Sequence, residues 1–196
     1  MRAAILVLVV AACSPDIPSG SYQCGPDQAC PGDQLCNGPD NTCIAPSLVQ
    51  PFSCLAKEEH EPDNTPATAT AFGNFDCVSL VYTVNGCLAA GDMQDWFKLT
   101  APAGCAALEA DIKISYPLAF ETVGVVLADD SGAMVAPDAA CKGTSGGAAD
   151  EQRCIQKTIT PGQSYTVEVV PAGGGDCDGA CNYTRYTLQI QLTTPG

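Results

Sequence analysis

The chain has 196 residues, with 22 acidic side chains against 8 basic ones and a formal net charge of −14. No Lys or Arg occurs between Ala3 and Ala56, and phosphate backbones are bound through basic patches, so nucleic acid is excluded as an expected partner. Of 13 cysteines none forms a Cys-x-x-Cys pair, and His60 is the sole histidine, so zinc-type spacing is missing; the even dozen beyond Cys13 reads as disulfides of an oxidising compartment.

The chain opens on Met1-Arg2 and an apolar run of eight residues, Ala3 to Val10. That run is too short to span a hydrocarbon core of about 30 Å, which takes about 20 helical residues. A positive start, a short apolar stretch and small residues before a cleavage point read as a secretory signal over residues 1–12. Val10-Ala11-Ala12-Cys13 resembles the lipobox of bacterial lipoproteins. The resemblance implies cleavage before Cys13, a diacylglycerol thioether on its sulfur and an acylated new N-terminus. Acyl chains contribute about 0.8 kcal/mol per buried methylene, enough for stable anchoring when two or more are present. Ser14, in place of Asp, implies by the same resemblance an outer-membrane or cell-surface location. The competing reading is an ordinary signal peptide with a chance cysteine.

Residues 13–21 read as a lipidated polar tether. Residues 22–43 carry Cys24, Cys30, Cys36 and Cys43 at near-even spacing, with Gly, Pro, Asn and Asp between them. Such a stretch is turn-rich, and only Leu35 could supply an aliphatic core, so two disulfides must hold it. Cys24–Cys36 with Cys30–Cys43 is one of three connectivities. The unit is similar to small cysteine-rich repeats that follow bacterial lipoprotein signals; it could bind a partner or act as a stiff spacer. Residues 44–53 read as a proline-bearing linker.

From Cys54 onward the pattern is β. Tyr186 to Leu192 alternates apolar and polar residues at period two, as do Gln163 to Val170, Leu108 to Ile114 and, roughly, Ser79 to Val84. Trp96 to Leu99, Val123 to Ala128 and Cys154 to Ile159 add three more strands, separated by turn signals such as Asp130-Ser131-Gly132 and Pro161-Gly162. Short strands so punctuated predict an all-β, antiparallel, jelly-roll-like sandwich over residues 54–196. Asp138 to Arg153 reads as a long loop closed by Cys141–Cys154, and Cys177–Cys181 as a local pinch. Cys54, Cys77, Cys87 and Cys105 complete the set without a predicted pairing.

Four stretches carry a further resemblance. They are Glu59-His60-Glu61-Pro62-Asp63-Asn64-Thr65-Pro66-Ala67-Thr68-Ala69; Gly91 to Leu99 with Ala101 to Gly104; Leu127 to Gly132; and Pro161 to Val167 with Tyr186 to Leu188. In this order they resemble the bacterial pre-peptidase C-terminal domain, which includes the collagen-binding segments of clostridial collagenases. The resemblance implies a jelly-roll-like sandwich and a calcium ion held by Glu59, Glu61, Asp63, Asn64, Asp92 and Asp95. These are oxygen donors, as calcium requires. The competing reading is that Asp92 and Asp95 cap a turn and the glutamates sit on a solvated face. The family has Asn then Asp where this chain has Asp63 then Asn64.

Other motifs carry less. Asp176-Cys177-Asp178-Gly179 lacks the downstream acid of an EF-hand loop, and Gly143-Thr144-Ser145 lacks a base–acid pair beyond His60. Asn182-Tyr183-Thr184 is a formal glycosylation sequon. No nucleophile–base constellation is legible, so the expected function is not enzymatic. It is instead a membrane-anchored surface lipoprotein acting as a calcium-stabilised binding or adhesion module for extracellular protein or polysaccharide. An accessory or scaffold lipoprotein for an envelope complex or secreted peptidase is the alternative, and a hydrolase is third. Tyr82, Tyr116 and Tyr183 are candidate contact aromatics if they are exposed.

Overall fold

The computed structural model describes residues 16–58, 61–89, 91–141, 150–172 and 183–195. The expected signal and Cys13, together with Glu59, His60, the Gly143–Ser145 motif, the Cys177–Cys181 pinch and Asn182, lie outside the described residues.

The protein is all-β. A small hairpin, β1 (Leu35–Asn37) and β2 (Thr42–Ile44), precedes a two-sheet sandwich. One sheet has four strands: β3 (Thr70–Ala71), β5 (Asp95–Thr100), β10 (Ser164–Pro171) and β7 (Val123–Asp129), in the order β3-β5-β10-β7. The other is formed by β4 (Tyr82–Leu88), β11 (Thr184–Thr193), β6 (Leu108–Pro117), β9 (Asp150–Ile159) and β8 (Ala139–Cys141), in the order β4-β11-β6-β9-β8. Every pairing within the sandwich is antiparallel except β3 with β5.

The period-two pattern does what it predicts. In β6 and β11 every second side chain is buried, and Leu108, Ile112, Ile114, Leu188, Ile190 and Leu192 meet Phe97, Leu99, Leu127, Val167 and Val169 of the facing sheet in one core. Burying such side chains contributes about 1.5–3 kcal/mol each. The stretch read as one long loop is partly strand: it holds β8 and the start of β9, and β8 pairs with the middle of β9, with Cys141 opposite Cys154 in register; Cys154 is disulfide-bonded. Two cystines not assigned from sequence tie the sandwich: Cys54–Cys87, across a separation of 33 residues, and Cys77–Cys105, across 28. Loops of that length lose about 3–4 kcal/mol of unfolded-chain entropy when closed.

The cysteine-rich module has Cys24–Cys36 and Cys30–Cys43 bonded, one of the three connectivities its four cysteines allow. Its core is not Leu35, which is 51% exposed. Cys24 and Cys43 are instead buried against Ala119 and Phe120 of the sandwich, with Phe52 and Tyr183 packed on the same cluster. The phenylalanine ring of Phe52 stacks on Tyr183 at 4.3 Å and meets Phe120 edge-on at 5.2 Å. A module of this size has too little apolar surface for its own core, so it borrows one. The stretch read as a linker is the mortar of this joint. Gln50 N donates to Asn37 Oδ1 at 2.9 Å. Gly38 is required there, because a Cβ would meet the Phe52 backbone at 2.4 Å.

Candidate functional site

Beyond the cores, two charged clusters are set on opposite faces of β11 by the consecutive residues Arg185 and Tyr186.

Arg185 faces outward and clamps the module. Its guanidinium donates to the carbonyls of Pro39 and, at 3.3 Å, Ser53. Its Nε lies 3.8 Å from the buried Glu58 carboxylate, and its plane covers the Phe52 ring at 5.1 Å. A planar fork with several donors suits this divided task, and Lys could not replace it.

Tyr186 faces inward. It lies opposite Gly86 in the β4–β11 register, and a Cβ on Gly86 would come within 2.1 Å of the tyrosine ring. The missing side chain lets the ring lie across β4, where its hydroxyl donates to Asp95 Oδ2. A glycine inside a strand is the sequence signal for such a close approach, and both Gly86 and Tyr186 escaped the sequence reading of this site.

Asp95, 4% exposed, opens β5 just after the chain crosses between sheets. The crossing is a tight turn in which Ala89 and Asp92 exchange backbone hydrogen bonds at 2.9 Å. The segment before β3 runs alongside, with Trp96 N donating to Asp63 O at 2.8 Å. The sequence-predicted ligands Glu61, Asp63, Asn64, Asp92 and Asp95 are thereby brought to one end of the sandwich. Asp63 is 2% exposed, and Asn64 Nδ2 donates to both oxygens of Glu61 at 3.1 and 2.9 Å. The Asp63 N–H adds a third donor to Glu61, at 3.2 Å.

The electrostatics follow from gathering like charges. Desolvation, with hydrogen-bond contact to Glu61 and repulsion from Glu61 and Asp63, pushes the Asp92 carboxyl up to about 7. Burial pushes Asp95 up to about 8, against the lowering effect of the Tyr186 hydroxyl and with repulsion from Asp63, Asp92 and Glu61. Tyr186 itself is raised by burial and by Asp95. Such shifts mark groups that prefer a proton or a cation to bare charge.

The donor chemistry fits a hard cation. Carboxylates and an amide converge, and Asp92 Oδ1 is buried with no hydrogen-bond partner. The spacing is wider than a closed cage. Among the described residues the only three metal-ligand atoms within 4.8 Å of one another are those of Cys24, Cys30 and Cys43, and these sulfurs are spent on disulfides. The Asn64 amide, pointing its N–H groups at Glu61, occupies the acceptor positions that a cation would take.

The aromatics expected to make contacts are not exposed platforms. Tyr116 is 2% exposed, Tyr183 stacks in the module joint, and the Tyr82 hydroxyl donates to Asn74 O at 2.5 Å. No protein-family model matches this chain, and no curated protein is similar to it.

Proposed function

We propose that this chain is a membrane-anchored surface lipoprotein whose pre-peptidase C-terminal-like sandwich is a non-catalytic, calcium-stabilised binding module. The observation that carries the reading is the acidic end. Asp63 and Asp95 are buried beside Asp92 and Glu61, and two of the four, Asp92 and Asp95, prefer to be protonated near neutral pH. Glu61, Asp63, Asn64, Asp92 and Asp95, with Glu59, would hold the ion. Its charge would offset their mutual repulsion and pin the segment before β3 to the β4–β5 crossing. The anchor rests on the Val10-Ala11-Ala12-Cys13 motif. Expressed with its signal in a diderm bacterium, the chain is expected in the membrane fraction bearing labelled fatty acid, and Cys13→Ser in the soluble fraction without label. A Cys13→Ser chain that stays acylated and membrane-bound would sink the anchor.

A further inference from the structure

Two uncharged apolar features break the surface of this acidic sandwich. The first is a knob. Val78, Leu80 and Val81, just before β4, are 65%, 85% and 49% exposed. Single exposed apolar residues are ordinary on a protein surface, but a contiguous set marks a contact surface. These three are also held still. Ser79 between them is buried, its N–H donates to Leu192 O at 3.0 Å, and its Oγ accepts from Leu192 N at 2.9 Å. Its carbonyl accepts from Gln191 Nε2 at 3.2 Å. Cys77, the residue before Val78, is bonded to Cys105. Side chains displayed on a fixed backbone lose little freedom on docking.

The second is a socket. β7 is an edge strand, and the chain after it returns along its free side, with Val135 N donating to Leu127 O at 2.8 Å. Between this return and β9 lies a slot of about 270 Å³, lined by apolar residues that include Val125, Leu127, Met134, Val135 and Ile155, and by no ionisable group. On the inward side of β7, Val123 and Leu127 are buried whereas Val125 between them is only half-buried. Val125, Val135 and Ile155 pack on the main core, so the slot is a gap where that core opens to water. Met134, 77% exposed, stands at its mouth. A cavity of about 150 Å³ already accepts a benzene-sized group, so the slot has room for a leucine side chain and part of a flanking valine.

We propose that the knob of one copy docks in the socket of a second copy of this chain, with Leu80 filling the slot against Val125, Val135 and Ile155. The knob stands at the β4 edge of the five-stranded sheet and the socket beside β9, three strand spacings away in the order β4-β11-β6-β9. That is about 14 Å, beyond the reach of a leucine side chain, so no copy fills its own socket. The contact joins unlike surfaces, and such contacts add copies head to tail and do not stop at a dimer. Neither surface carries a charge, so two chains of net charge −14 can meet there without setting like charges directly against each other. The repulsion between the rest of the two chains is screened by salt, which should strengthen the contact. The inference goes beyond the binding-module reading and does not depend on the acidic end.

The test is sedimentation of the full oxidised chain carrying Cys13→Ser, so that no lipid contributes, in EDTA, so that no calcium bridges acidic surfaces. From micromolar to millimolar concentration its mean mass should rise past that of a dimer, and more steeply at high salt. Leu80→Asp and Met134→Asp alter exposed side chains, so the melting temperature should hold, while each should weaken association at least about thirtyfold. Mixed together, the first variant still offers its socket and the second its knob, so the mixture should form one-to-one dimers and stop there. A monomer over the whole range, or a rise in mass indifferent to either substitution, would overturn the contact. Loss with Leu80→Asp alone, Met134→Asp being harmless, would mean that knobs meet each other and would overturn it too. A monomer whose 125–127 and 134–136 amides shift with dissolved benzene would make the slot a small-molecule site instead, and the contact would again fall.

Discussion

The outward and inward faces of β11 carry the same kind of burden and handle it differently. Around Arg185 a cation meets a buried Glu58, two carbonyls and an aromatic ring, although its Nε makes no hydrogen bond. Around Tyr186 four carboxylates meet one hydroxyl and one amide. The first set is balanced in charge and fastens the module to the sandwich. The second carries, among the described residues, a surplus of negative charge that protons or a bound cation would offset. A buried cluster balanced in charge reads as architecture, and one with a surplus of one sign reads as a site.

Breaking the balanced side should cost most. Arg185→Ala strands Glu58 and frees the Pro39 and Ser53 carbonyls, an expected loss of about 3 kcal/mol in urea unfolding, with Lys only partly restoring it. A loss below about 0.5 kcal/mol, the level of an ordinary surface change, would mean that the module is held by its aromatic cluster alone.

The acidic side should respond in the opposite sense to neutralisation. Asp92 and Asp95 bind protons in the folded state up to about 7 and about 8, whereas an unfolded Asp releases its proton near 3.9. Stability in EDTA should therefore fall as pH climbs from about 4 to about 8 and level off above. Asp95→Asn keeps a hydrogen-bond acceptor for Tyr186 and removes one charge. It should raise the EDTA melting temperature at pH 8, flatten this slope and abolish any calcium response. A wild-type melting temperature that rises over that pH range would contradict the account of the acidic end.

The smallest effect belongs to the hinge between the two sides. Tyr186→Phe removes one hydrogen bond to Asp95, worth about 1 kcal/mol in EDTA at pH 5. If the loss matches that of a buried ring, the tyrosine serves packing and not the carboxylate.

The sandwich was legible because its strands are written in alternation: the seven stretches read as strands contain β4, β5, β6, β7, β9, β10 and β11 in whole or part. The module's need for two bonds was legible, because its four cysteines stand in a stretch almost without aliphatic side chains, but which of three connectivities they take was not. Cys54–Cys87 and Cys77–Cys105 join segments that meet only after the sheets form, so spacing carried no trace of them. Leu35 misled because the module's core is lent by Phe52, Phe120 and Tyr183, residues distant in sequence. At the acidic end the carboxylates were visible as residue types. The Tyr186–Gly86 contact was not, because it depends on the register of β4 with β11.

The most direct test of the central claim is the melting temperature of the oxidised chain, stripped with EDTA and titrated with calcium at pH 7. A ligand bound only by the folded state adds about 2.7 kcal/mol at a hundredfold excess over its dissociation constant. The melting temperature should rise and saturate with calcium, and EDTA should reverse it. An unchanged transition at millimolar calcium, with EDTA equally silent, would contradict the cation site.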